Sequence, residues 1–132
     1  MRLGRKKHVV ALAYALGVCS AAGLFNASAR DEKIVVTGIA SVYGDRLQGR
    51  ATASGEPYDR DALTAAHRTL PLGSRARVTN LENNKWVVVR INDRGPQTAG
   101  RILDLSRSAA ERLGVRTGVV RVRVELISLP ST

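Results

Sequence analysis

Lys85-Trp86-Val87-Val88-Val89-Arg90-Ile91-Asn92-Asp93-Arg94-Gly95-Pro96 is the stretch on which the fold turns. Its first eight residues are rich in β-branched side chains and read as a strand buried on both faces. Asp93-Arg94-Gly95-Pro96 must leave the sheet, because proline has no amide hydrogen for a ladder and glycine permits the turn. Immediately upstream, Arg75-Ala76-Arg77-Val78-Thr79-Asn80 alternates charged and apolar residues, as a half-buried strand does. Glu82-Asn83-Asn84-Lys85 is a turn, so the two strands form a hairpin.

Working outward, Ile34 to Tyr43 reads as a further strand bent at Gly38, and Gly44 to Asp61 as a long polar loop of the kind that usually carries function. Ala62 to His67 reads as a short helical turn ended by Pro71 and Gly73. Ser106 to Leu113 is an amphipathic helix, capped by Ser106 and stopped by Gly114. Val119 to Ile127 alternates, with Arg121, Arg123 and Glu125 outward. The order helix, glycine, Arg-x-Arg strand occurs at 63–78 and again at 106–124, as in a barrel made of two similar halves. Short strands, tight turns and no long helix favour a mostly-β, closed small barrel.

With 132 residues there is room for one domain. The net charge is +10, but four of the 21 basic residues lie in the first 29 positions, leaving 17 against 11 acids, or +6, for residues 30–132. That excess suits anionic wall polymers or lipid head groups. Single-stranded nucleic acid is held by aromatic platforms, and one Trp, one Phe and three Tyr make a poor one, so no nucleic-acid partner is expected.

Arg2, Arg5, Lys6 and Lys7, an uncharged stretch from Val9 to Ala29, and the small-residue exit Ala27-Ser28-Ala29 describe a secretory signal peptide over 1–29. The expected product is exported, periplasmic or secreted, beginning at Arg30. The same stretch is long enough to stay as a membrane anchor, and Cys19 could carry a lipid, although Val18 before it fits that poorly. Cys19 is the single cysteine, so the exported chain has neither disulfide nor thiolate metal site. The segment 30–37 is a short leader and the start of the first strand, 38–127 the barrel, and 128–132 a tail.

Polar residues gather where strands end: Glu56, Asp59, His67, Asn92, Asp93, Arg94 and Asp104. Asp93 follows an apolar strand and precedes a stiff turn. Desolvation there would favour a protonated carboxyl group, which suits a general acid, while a turn aspartate bonding its own backbone is the plainer reading. Glu56 is held between Gly55 and Pro57, and His67 could orient a carboxylate or be a structural hydrogen-bonder. There is no P-loop, G-x-G-x-x-G, G-x-S-x-G or H-E-x-x-H, so no nucleotide, cofactor or metal is expected.

These residues resemble a known family. Gly38-Ile39-Ala40-Ser41-Val42-Tyr43-Gly44 and Gly49 to Glu56 are similar to the opening of the RlpA-like (rare lipoprotein A) family. Ala65 to Gly73, Val78-Thr79-Asn80-Leu81, Asn92-Asp93-Arg94-Gly95-Pro96 and Ile102 to Ser106 with Ala109-Ala110 continue the likeness in order. The resemblance implies a six-stranded double-psi β-barrel with one or two short helices. It also implies a lytic transglycosylase that cuts the MurNAc-β-1,4-GlcNAc bond of peptidoglycan and leaves 1,6-anhydro-MurNAc ends. By that likeness Asp93 would be the acid and base, with Glu56 and His67 assisting proton transfer and holding the sugar. Tyr43, Thr52, Ser54, Asn92 and Arg94 would contact substrate. Peptidoglycan strands are the implied partner, together with cell-division or wall-synthesis proteins. Family members often have an aromatic residue at the position of Val42 and asparagine at that of Ser54, so weaker sugar stacking is expected here. No second glycan-binding module is expected after Ile127. The alternative function is a noncatalytic, expansin-like wall-binding protein.

Overall fold

The computed structural model describes residues 33–115 and 118–131; the signal-peptide reading at 1–29 lies outside them. Six strands close into one barrel: β1 (Val35–Val42), β2 (Thr64–Ala66), β3 (Arg75–Asn80), β4 (Trp86–Asp93), β5 (Arg101–Leu105) and β6 (Val119–Ser128). Around the ring the order is β1-β5-β2-β4-β3-β6. A short helix, α1 (Arg107–Arg112), and a 3₁₀ turn at Asp45–Leu47 are the other regular elements described.

Alternation builds the core. Val87, Val89 and Ile91 of β4, Val120, Val122 and Val124 of β6, Ala76 and Val78 of β3, and Leu103 and Leu105 of β5 point inward and are buried. Ala109 and Ala110 of α1, with Leu113 just after it, close one side. Two neighbouring parallel pairs, β1 with β5 and β2 with β4, cannot come from hairpins, so the chain must cross over itself between them. Exchanging β1, β2, β3 for β4, β5, β6 swaps β1–β5 with β2–β4 and β1–β6 with β3–β4, each for a pairing of the same sense, and leaves β2–β5 and β3–β6 unchanged. This is the two-halved barrel that the repeated pattern anticipates, in the double-psi form that the resemblance implies.

Three local expectations are corrected. Thr64-Ala65-Ala66 is not a helical turn but β2, wholly buried between β4 and β5. Small side chains with no periodicity suit either state, and pairing on both edges decides it. Arg101–Leu105, which the sequence reading left without a strand, is β5. Strand β4 is not buried on both faces: Trp86 is exposed and Val88 and Arg90 are half-buried on its outer side. The repeated pattern also holds differently from its reading, since only the second half has a helix after its middle strand.

Two contacts fix the strands that carry the site. Ser106, fully buried, caps α1 by accepting from Ala109 N at 3.2 Å and donates to Ala62 O at 2.7 Å, tying α1 to the entry of β2. Gly38 lets Ile102 lie against β1: a Cβ there would sit 2.8 Å from the Ile102 side chain.

Candidate functional site

Asp93 is the last residue of β4, and its neighbour on β2 is Ala66. Its carboxylate is half-buried and is met by three donors. Tyr43 Oη donates to Oδ2, and Oδ1 accepts from Ala53 N at 2.9 Å and Arg94 N at 2.8 Å. The setting therefore differs from the dry apolar edge expected from sequence: the carboxyl group is held in place by polar partners from three segments. Gly95, at φ +132°, turns the chain away in a conformation that a side chain would strain.

Tyr43, immediately after β1, faces Asp93 and packs its ring against Tyr58, with centroids 4.6 Å apart. Burial, then the hydrogen bond to Asp93, then the negative charges of Asp93 and Asp104 push the Tyr43 phenol far up. Tyr43 therefore keeps its proton and stays a donor. Together with Tyr58, Leu47, Arg50 and Thr52 these groups line an open pocket of about 170 Å³ with Asp93 in its wall. Beside it, Ser41 Oγ donates to the Asp104 carboxylate of β5.

The loop 51–57 is a small polar hairpin closed by an Ala51–Pro57 bridge. Thr52 Oγ1 donates to Glu56 O at 2.7 Å and lies 2.9 Å from Ser54 Oγ. Ser54 Oγ accepts from Glu56 N at 3.4 Å, the local turn bond that an asparagine would also make. Besides the Ala53 N bond to Asp93, four hydrogen bonds fasten the hairpin to β4. Ser54 N donates to Asn92 O at 3.1 Å. Asn92 Nδ2 donates to Glu56 Oε1 at 3.0 Å, Arg90 Nη2 to Glu56 Oε2 at 3.3 Å, and Arg90 Nη1 to Glu56 Oε1. The hydrogen bonds from Arg90 and Asn92 hold Glu56 below the usual carboxylate range. Glu56 is thus an ionised anchor, not a group that stores a proton.

His67 is brought to the junction by its backbone alone, His67 N donating to Asp93 O at 3.1 Å. Its imidazole turns elsewhere: Nδ1 accepts from Thr69 N and Leu70 N, both at 3.1 Å. The ring lines a separate, largely apolar pocket of about 260 Å³ with Ile34, Val36, Leu70 and Leu126. Burial first, then Arg94 and Arg68, lower its pKa from the usual 6.5. The native state therefore resists a proton that the unfolded chain accepts near that pH. This contribution to stability is complete above about pH 6.5 and is lost as pH falls through the lower folded value. The melting temperature of the wild type should drop between about pH 7 and pH 5 by more than that of His67→Gln; equal drops would remove His67 from the account.

Arg94 extends away from the pocket, donating to Leu70 O at 2.7 Å and His67 O at 3.1 Å, and so braces the loop after β2. Val42 lies on the opposite side of β1 from Tyr43, in a different pocket with Lys85, Arg107 and Ala110. Val42 therefore does not line the Asp93 pocket, whose aromatic rings are those of Tyr43 and Tyr58. Of the eight site residues expected, Asp93, Tyr43 and Thr52 share one pocket, Glu56, Ser54 and Asn92 form the adjoining anchor, and Arg94 and His67 serve the next loop. Sequence reasoning missed Arg90 and Tyr58. The signal for Arg90 was a lone charge within a valine-rich strand, two residues before Asn92. Among the described residues, no cluster of three His, Cys, Asp or Glu side chains could hold a metal ion.

Comparison with solved structures gives the same barrel: the apo expansin of Clavibacter michiganensis matches at TM-score 0.57 with 22% identity, covering 75% of this chain and 53% of that one. The Streptomyces papain inhibitor matches at TM-score 0.55 with 23% identity, covering 74% and 96%. At those identities the likeness concerns the fold alone. In sequence, the endolytic peptidoglycan transglycosylase RlpA of Pasteurella multocida is 58% identical over 93 residues, 70% of this chain and 32% of that protein. Its Pseudomonas aeruginosa counterpart is 56% identical over 91 residues, 68% and 27%. The chain thus spans about a third of the length of these relatives. The lytic transglycolase family profile matches residues 35–124, the barrel from the start of β1 to the middle of β6, and the chain belongs to that family.

Proposed function

We propose that this barrel is a peptidoglycan lytic transglycosylase with Asp93 as its acid and base. The observation that carries the reading is a single carboxylate, positioned by three donors, in the wall of an open pocket flanked by two tyrosine rings. A transglycosylase needs little more. Protonated Asp93 gives its proton to the glycosidic oxygen as the C1–O bond breaks, releasing the GlcNAc hydroxyl. The C6 hydroxyl of the same MurNAc then bonds to C1 and returns its proton to Asp93. No water enters, and the carboxyl group ends as it began. Because the nucleophile is part of the substrate, proximity supplies what a second catalytic carboxylate does in a hydrolase.

The contacts support the remaining roles of this reading. Tyr43 steadies the Asp93 carboxylate in the interval when it is ionised. Thr52 faces the pocket as a sugar contact, and Tyr58 offers its ring. Glu56, with Asn92 and Ser54, positions the hairpin and through it the Ala53 amide on Asp93. Arg94 and His67 hold the neighbouring loop. The substrate lies outside the cytoplasmic membrane, and the export signature at 1–29, with cleavage after Ala29, accords with that location.

The test is product analysis after incubation of the protein with purified peptidoglycan. Release of 1,6-anhydro-muropeptides is expected. Retention on the glycan with no soluble product would favour the noncatalytic, wall-binding alternative. Tyr43→Phe removes one of three donors and should lower the rate about tenfold, within the range of a single charge-assisted hydrogen bond. An unchanged rate would take Tyr43 out of the mechanism.

A further inference from the structure

The pocket loops mix their charges, Arg46, Arg50 and Arg60 standing among the acids, whereas one wall of the barrel carries mainly arginines. Asp45, Glu56, Asp59, Asp61, Asp93 and Asp104 lie in the strand ends and loops around the pocket. Across the ring, the outer face of β1, β6, β3 and β4 presents arginines. The register sets two adjacent rows across four strands: Val35–Glu125–Arg77–Val88 and Thr37–Arg123–Thr79–Trp86. Arg121 continues beyond them opposite Ile39, and Arg75 lies opposite Arg90. Arg90 is engaged by Glu56, and the one acid of the rows, Glu125, is 3.6 Å from Arg123. Arg75, Arg77 and Arg121 have no ion-pair partner among the described residues.

This face is more than basic. Trp86, the single tryptophan of the chain, is 55% exposed with the Arg77 guanidinium 4.2 Å from its ring centre. Val35 and Ile127 are exposed on the same face. A soluble polyanion needs only positive charge, whereas indole, aliphatic and guanidinium groups side by side match the boundary between lipid phosphates and acyl chains. Placement agrees: in the ring β3 lies opposite β5 and β6 opposite β2, and the pocket's Asp93 and Tyr43 flank that β2–β5 side, Asp93 beside Ala66 of β2 and Tyr43 N bonded to Leu105 O of β5. A barrel resting on β3 and β6 would leave the other wall free.

We propose that the outer face of β1, β6, β3 and β4 docks on the anionic phospholipid headgroups of a bilayer. Arg75, Arg77 and Arg121 bind the phosphates, and Trp86 with Val35 and Ile127 enters the interface. Docking then holds the enzyme against a membrane without covering its glycan pocket.

Trp86 makes the test direct. Its emission in the full chain should shift to the blue on phosphatidylglycerol vesicles and be quenched by lipids carrying a shallow quencher. Phosphatidylcholine vesicles should do neither, and about 0.5 M salt should reverse the shift. Each headgroup-bound arginine is worth about fivefold in affinity, so Arg75→Gln/Arg77→Gln/Arg121→Gln together should weaken vesicle binding about a hundredfold. Both proteins carry the same residues 1–32, so that stretch cancels in the comparison, and equal melting temperatures check that the variant is folded. An unmoved Trp86 emission, an equal response to neutral lipid, or undiminished affinity in the triple variant would overturn the proposal. So would a shift produced as well by lipid-free anionic wall polymer, which would reassign the face to the wall.

Discussion

Asp93→Asn is expected to slow glycan cleavage about a thousandfold, the middle of the range for a positioned general acid, while leaving the fold and the hold on glycan in place. Asparagine has the same shape, and its carbonyl oxygen can still accept from Ala53 N and Arg94 N, as Asp93 Oδ1 does. The amide then occupies the place of Oδ2, and the Tyr43 hydroxyl can rotate to accept from it. Geometry therefore survives and only the exchangeable proton is lost. That makes the variant more informative than Asp93→Ala, which would also release Tyr43, the hairpin and the turn. The measurement is the release of 1,6-anhydro-muropeptides at saturating glycan, paired with co-sedimentation on the same glycan. A variant that cleaves at the wild-type rate would remove Asp93 from the chemistry. A variant that no longer sediments would assign the residue to binding instead.

How far the sequence could be read depended on whether each residue's role was local. Strands β1, β3, β4 and β6 were legible because they alternate or are dense in β-branched residues over six to ten positions. Strand β2 was not: three small residues carry no period, and they are a strand only because β4 and β5 flank them. Asp93 was legible as a candidate because a strand-to-turn junction is a local pattern. Its partner Tyr43, 50 positions away, could be named as a site residue but not as the donor to that carboxylate. Glu56 and His67 were named as candidates near the junction, and what each side chain meets there was not readable. Their environments, an arginine 34 positions away and a pair of backbone amides, exist only in the fold.

Arg90 yields the second large effect, and it separates positioning from chemistry. Arg90→Gln should lower kcat about a hundredfold with little change in KM, the scale at which displacement of a reacting group by about 1 Å is felt. The path is physical: Arg90 holds Glu56, Glu56 holds the 51–57 hairpin, and the hairpin presents Ala53 N to Asp93 Oδ1. Both side chains of the pair are more than a third exposed, so the ion pair adds little to global stability and the melting temperature should move by only a degree or two. Lysine can bond one carboxylate oxygen but lacks the guanidinium fork, so Arg90→Lys should recover only part of the rate. Glu56→Gln, which keeps an acceptor for Arg90 and Asn92 but loses the charge, should retain far more activity than Asp93→Asn. If instead Glu56→Gln were as damaged as Asp93→Asn, Glu56 would be a second proton-transfer group and the anchor reading would fail. If Arg90→Gln cleaved normally, the hairpin would not need its anchor at all.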